Sequence, residues 1–107
     1  MLLIAKKATK DQMEKMARHF SGYIKVVVDL ENEILVGGAD RHVDEEQMLL
    51  NYGSKQSNLW GGGVEITTNV IDYNSIINLR PMENPSREIL DKDKRKRFDA
   101  IVIKLLM

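Results

Sequence analysis

The most concentrated polar segment of the chain is Asp40-Arg41-His42-Val43-Asp44-Glu45-Glu46. An imidazole titrates near neutrality, so His42 is the candidate catalytic acid or base if the protein has one. Beside Asp44 or Glu46 it has the donor atoms for a divalent metal. One histidine without a second spaced ligand does not define such a site, however, and no metal is expected. The segment also has a plain structural account, with Asp44 as a helix cap, Glu45 and Glu46 complementing the helix dipole, and His42 in the loop.

A second polar word, Ser54-Lys55-Gln56-Ser57-Asn58-Leu59-Trp60, places several donors before an indole ring. Lys55 can meet an anion and Trp60 can stack on a flat ligand, although a lone tryptophan in a small domain commonly anchors the core. In the third segment, Asn74, Asn78 and Arg80 alternate with Ile76 onto one face of an expected strand, an unusually polar face. Arg80 and Arg87 flank a proline-restrained loop and can clamp a carboxylate or phosphate; the competing account pairs Arg80 with Glu45 or Glu65 inside the fold. The binding candidates are therefore Lys55, Trp60, Asn78, Arg80 and Arg87.

Two other patterns carry less. Gly61-Gly62-Gly63 lacks the Gly-Lys-Ser/Thr ending of a Walker loop and runs into Val64-Glu65-Ile66, which reads as a strand. A bulge or the close approach of another backbone explains it better, and no cofactor is expected. The basic run Lys92 to Arg97 can touch nucleic acid, but it has no interleaved aromatics and reads as a solvated helix face.

The elements that must position these residues follow from periodicity and capping. Leu2-Leu3-Ile4 is a first strand. Thr9-Lys10-Asp11-Gln12 is a capping box opening a helix with Met13, Met16, Ala17 and Phe20 on one face, ended by Gly22. Tyr23 to Leu30 is a β-branched strand, turning at Glu31-Asn32 into Ile34-Leu35-Val36 as a hairpin. Asp44 is read as the cap of a second helix, with a Val43–Met48 staple, Met48, Leu49 and Tyr52 facing the core, and Gly53 as its stop. Strands over Val64 to Ile66 and Tyr73 to Leu79 follow, and Asp91 caps a last helix bearing Phe98, Ile101, Val102 and Leu105. The lysines and arginines in its first turns oppose the helix dipole, so local propensity alone does not favour them there. The order β-α-β-β-α-β-β-α predicts an α+β fold, a mixed sheet of about five strands with three helices.

The 107 residues suit a single domain spanning 1–107. With no cysteine, disulfides and thiolate metal sites are excluded, which fits a reducing compartment. Sixteen basic side chains balance sixteen acidic ones, against a dedicated duplex-binding role. No secretory leader or membrane-spanning run is recognised, so a cytoplasmic location is expected.

The words Gly38-Ala39-Asp40-Arg41-His42-Val43-Asp44-Glu45-Glu46, Tyr52-Gly53-Ser54-Lys55-Gln56-Ser57-Asn58-Leu59-Trp60-Gly61 and Ser75-Ile76-Ile77-Asn78-Leu79-Arg80-Pro81 together resemble a family of small uncharacterised prokaryotic proteins, a domain of unknown function. The likeness spans Ile34 to Arg87, with Asn84-Pro85-Ser86-Arg87 matching only in part. It implies no activity. It does mark His42, Ser54, Lys55, Gln56, Trp60, Asn78, Arg80 and Arg87 as members of the family's words.

The leading expectation is a non-catalytic domain that binds an anionic small molecule or an acidic protein surface. A small metal-independent ribonuclease or other hydrolase, using His42 with Lys55, Arg80 and Arg87, is the rival. A third reading is a structural homo-oligomer, for instance a homo-dimer, joined through its methionines and apolar ends.

Overall fold

Local chemistry starts the chain as expected. The Thr9 side chain accepts from the Gln12 amide at 3.1 Å, and the Gln12 side chain accepts from the Thr9 amide at 2.9 Å. The computed structural model describes residues 1–107. Its elements are β1 (Leu2–Ile4), α1 (Lys10–Ala17), β2 (Tyr23–Asp29), β3 (Ile34–Gly37), α2 (His42–Tyr52), β4 (Leu59–Glu65), β5 (Val70–Asp72) and α3 (Lys92–Leu106), with 3-10 turns at Gln56–Asn58 and Ile76–Asn78. No helix is long and apolar enough to cross a membrane.

The fold is α+β, with one five-stranded sheet in the order β1-β3-β2-β4-β5. All pairings are antiparallel, which corrects the expectation of a mixed sheet. The cause is topological. The β1-α1-β2 crossover straddles β3 and the β3-α2-β4 crossover straddles β2, so strands that run parallel never become neighbours. Hairpins supply the β2–β3 and β4–β5 contacts. The Asp29 carboxylate fixes the first of these turns by accepting from the Glu31 and Asn32 amides at 3.0 Å each.

Alternation along the strands sends two apolar sets to opposite faces. On one face Ile24, Val26, Val28, Leu35, Trp60 and Val64 pack with Met16 and Ala17 of α1 and with Phe98, Ile101, Val102 and Leu105 of α3. On the other, Val27, Ile34, Val36 and Leu59 pack with Leu49 of α2 and with Ile77.

The glycine triplet lies within β4, not ahead of it, and close approach accounts for it. A Cβ on Gly62 would meet the Asp72 backbone and the Phe98 ring, one on Gly61 would sit 2.6 Å from Ser75 Cβ, and one on Gly63 would overlap the Tyr23 phenol.

Other local expectations give way to tertiary contacts. Residues 73–79 do not form a strand. Ser75 Oγ accepts from the Ile77 amide and turns the backbone into a 3-10 helix, a local bond that competes with a ladder. The strand here is instead Val70–Asp72, reached by a tight turn with Asn69 at φ 59°. Helix α2 begins three residues earlier than read, with Arg41 rather than Asp44 at the N-cap, and Asp44 lies in its first turn, paired with Arg41 at 3.4 Å. Val43 and Tyr52 are exposed, so neither the staple nor a core tyrosine forms, and Phe20 lies exposed beyond the end of α1. Asp91 does cap α3, accepting from the Asp93 and Lys94 amides at 2.8 and 3.0 Å.

Candidate functional site

Tyr23 stands at the start of β2 on the α2 face of the sheet, where Gly63 on the neighbouring strand leaves no side chain to obstruct it. Its ring passes over that glycine, and its hydroxyl donates to Asp72 Oδ2 on β5 at 2.6 Å. Burial, and then the adjoining Asp72 carboxylate, raise the phenol pKa well above its ordinary value, so Tyr23 stays protonated. The second Asp72 oxygen accepts from the Asn74 amide at 3.1 Å, so both carboxylate oxygens are occupied.

Above this pair opens a cleft of about 810 Å³. It is lined by Tyr23 and Lys25 of β2, Arg41, His42 and Val43 at the start of α2, Asp72, Asn74, Ser75 and Ile76 after β4, and Arg87. His42 Nε2 lies 2.7 Å from the Gly62 carbonyl oxygen. A carbonyl only accepts, so Nε2 carries a proton and the neutral ring leaves Nδ1 as a free acceptor. Burial pushes the His42 pKa below its ordinary value, against the opposing pull of the Gly62 carbonyl. The ring is therefore uncharged at neutral pH.

The cations around it are held to different degrees. Lys25 donates to the Asp40 carbonyl at 3.0 Å and lies 5.1 Å from the Phe20 ring centroid. Arg41 pairs with Asp44, and Arg87 makes no ion pair. Arg41 supplies no side-chain cap to α2, so the first-turn amides of that helix have no side-chain acceptor. No three His, Cys, Asp or Glu side chains come close enough together to hold a metal ion.

Two buried asparagines fix the wall of the cleft. Asn78 Oδ1 accepts from the Gly61 amide at 2.8 Å, and its Nδ2 donates to the carbonyls of Gly61, Tyr73 and Arg87 at 2.9–3.0 Å. Asn84 Nδ2 donates to the carbonyls of Asn78, Ser86 and Glu88, while its Oδ1 accepts from Leu90. The irregular segment carrying Ser75, Ile76 and Arg87 is thus held at defined backbone positions without regular secondary structure.

Residues 2–105 match a family described as "Protein of unknown function (DUF5674)". The chain belongs to that family. The match covers nearly the whole chain, beyond the central half that the sequence words mark, and the family's description assigns no activity. No curated protein and no solved structure matches the chain.

Of the residues singled out from the sequence, His42 and Arg87 share the cleft. Lys55 lies in a separate polar hollow with Glu31, Asn32, Gly53, Ser57 and Asn58. Trp60 is buried in the core, 1% exposed. Arg80 stacks on the indole, its guanidinium carbon 3.9 Å from the ring centroid, and donates to the carbonyls of Ser57 and Leu59. Its ion-pair partner is Glu83 at 3.9 Å, in place of Glu45 or Glu65. Asn78 is wholly buried in the network above.

The basic run of α3 is tied down in the same way. Lys94 lies near Trp60, Asp91 and Glu83, Arg95 donates to the Ile89 carbonyl and covers the Tyr73 ring, and Arg97 donates to the Leu30 carbonyl. These tertiary partners offset the unfavourable dipole.

The sequence reading missed Tyr23, Lys25, Arg41, Asp72 and Ser75. One signal for Tyr23 was present, since a large aromatic on one strand beside a glycine-rich neighbour is a recognised packing arrangement. Nothing local announces the partnership of Tyr23 with Asp72, 49 residues away.

Proposed function

We propose that the protein is a binding domain that holds an anionic small molecule in the cleft between Lys25, Arg41 and Arg87. The observation that supports this reading is a charge imbalance at one concave site. Lys25, Arg41 and Arg87 line the cleft with the carboxylate of Asp72, and because only Arg41 has a carboxylate partner, Asp44, the charges of Lys25 and Arg87 are left without one. Arg87 has no internal anion to neutralise it, and a guanidinium binds carboxylate or phosphate through paired hydrogen bonds.

The test is amide NMR of the full chain during titration with phosphate, pyrophosphate and citrate. Shifts gathered at Arg41, His42, Ser75 and Arg87, weakened about tenfold or more by Arg87→Ala, are the expected result. Unchanged spectra with all three anions would sink the reading.

The neutral His42 ring with its free Nδ1, beside Lys25 and Arg87, favours one alternative, a metal-independent ribonuclease. In that case His42→Ala abolishes cleavage of a short RNA panel while leaving anion binding in place. Absence of cleavage by the parent protein removes the alternative.

A further inference from the structure

We infer that the anion taken by this cleft is the phosphate monoester of a molecule with a flat or apolar organic part, a nucleoside monophosphate being the simplest example. This inference rests on the anion-binding reading above and narrows it.

Several hydrogen-bonding groups in the cleft have no internal partner. Ser75 is 97% buried, being 3% exposed, and it lines the cleft. Its oxygen accepts from the Ile77 amide at 3.3 Å, but its hydroxyl proton has no acceptor within the protein. A buried hydroxyl left in this state costs free energy unless something outside the chain accepts from it. The Arg87 guanidinium adds further donors to the same space, which Arg41, His42 and Val43 at the start of α2 also line. Against them stand few acceptors, Nδ1 of His42, Oδ1 of Asn74 and the oxygens of Asp72, each of which already accepts one hydrogen bond.

A planar carboxylate presents two oxygens and, when ionised, no proton. A phosphate monoester presents three oxygens in a tetrahedral array and titrates with a second pKa of about 6, so near neutrality it can also offer one proton to an imidazole. Donors on Arg41 at the start of α2, on Ser75 and on Arg87 come to the cleft from three separate segments, which suits a tetrahedral group better than a planar one.

Size and wall chemistry define the remainder of the ligand. At about 810 Å³ the cleft is far larger than inorganic phosphate requires and falls within the ordinary range for organic ligands. Val43 of α2 and Ile76 of the 3-10 turn, 41% and 48% exposed, both line it. Two branched apolar side chains brought to one polar cleft from separate elements provide surface for a ring or hydrocarbon. A densely hydroxylated sugar would leave them unused.

The full chain should be titrated with adenosine 5′-monophosphate, adenosine, inorganic phosphate, glucose 6-phosphate and citrate, following the amides of His42, Val43, Ser75 and Ile76. Adenosine 5′-monophosphate is expected to bind about tenfold or more tightly than any of the other four. The double variant Val43→Ser, Ile76→Ser, altered only at exposed positions, should lose that advantage while binding inorganic phosphate as the parent does. Citrate moving these amides while the phosphate compounds do not would overturn the phosphomonoester and leave the anion-binding reading standing. Equal affinity for glucose 6-phosphate and adenosine 5′-monophosphate would overturn the role of the apolar walls. Silence from every anion would end both readings.

Discussion

Asn78 shows how much of this molecule rests on single polar side chains. It is wholly buried and makes four hydrogen bonds, one accepted from and one donated to Gly61 in the middle of the sheet, and two donated to loop carbonyls. Asn78→Ala leaves the Gly61 amide and carbonyl without their side-chain partner in a water-poor interior, while the Tyr73 and Arg87 carbonyls keep the Ile89 and Ser75 amides. Each such group costs about 1–3 kcal/mol, so a loss of about 3 kcal/mol or more is expected in denaturant unfolding. Asn78→Asp should be about as damaging at neutral pH, because a carboxylate can still accept from Gly61 but would face three carbonyl oxygens. If the aspartate variant kept parental stability, the donor side of this network would not matter. The sequence displayed Asn78 only as a polar member of a strand face. Its role depends on partners that the chain brings together from residues 61, 73 and 87.

At the scale of elements, β4 carries three successive glycines, a composition that weakens an isolated strand. It becomes a central strand because other parts of the molecule occupy the volume its side chains would have filled. Gly63→Ala forces the Tyr23 ring off its path to Asp72, and overpacking of this kind should cost about 1–3 kcal/mol. In a Tyr23→Ala background the ring is gone and the same substitution should cost far less. A double-mutant cycle on thermal or urea unfolding measures that coupling, and additive effects would mean the glycine serves another purpose. The start of α2 obeys a related rule. Asp44 has the composition of a cap, yet it lies in the first turn of the helix and pairs with Arg41, the residue at the cap position.

Across the whole molecule, stability should pass through a maximum at slightly acidic pH, because a buried and a half-buried group pull in opposite directions. Glu45 is fully buried, with one oxygen accepting from the Ala39 amide at 3.0 Å and the other without a partner. Burial pushes its pKa from 4.5 up to about 9. The folded protein therefore holds a proton that the unfolded chain releases above pH 4.5, and stability falls as pH rises from there to about 9. His42 acts in the opposite sense. Its folded pKa lies below the ordinary 6.5, so its contribution is complete above that value and is lost as pH falls through the folded pKa. Glu45→Gln should flatten the alkaline limb and leave the variant more stable than the parent at pH 8 by about 1–3 kcal/mol. Parallel curves for variant and parent between pH 5 and 9 would show that Glu45 ionises freely in the fold.

The sequence by itself determined the features that neighbours along the chain can settle. The Thr9 capping box, the Asp91 cap, the Gly53 stop, the β2–β3 hairpin and the apolar stripe of α3 each involve residues a few positions apart, whose hydrogen bonds or side-chain spacing suffice. The α+β class follows from them. Tertiary structure alone decided the strand order, the conversion of residues 73–79 from an expected strand into a turn, the burial of Trp60 beneath Arg80, and the meeting of Tyr23, His42, Asp72 and Arg87 around one cleft. The physical reason is that a buried polar group must find a partner wherever the folded chain supplies one. Tyr23 finds Asp72 49 residues away and Arg97 finds Leu30 67 residues away, pairings that depend on how the whole chain packs.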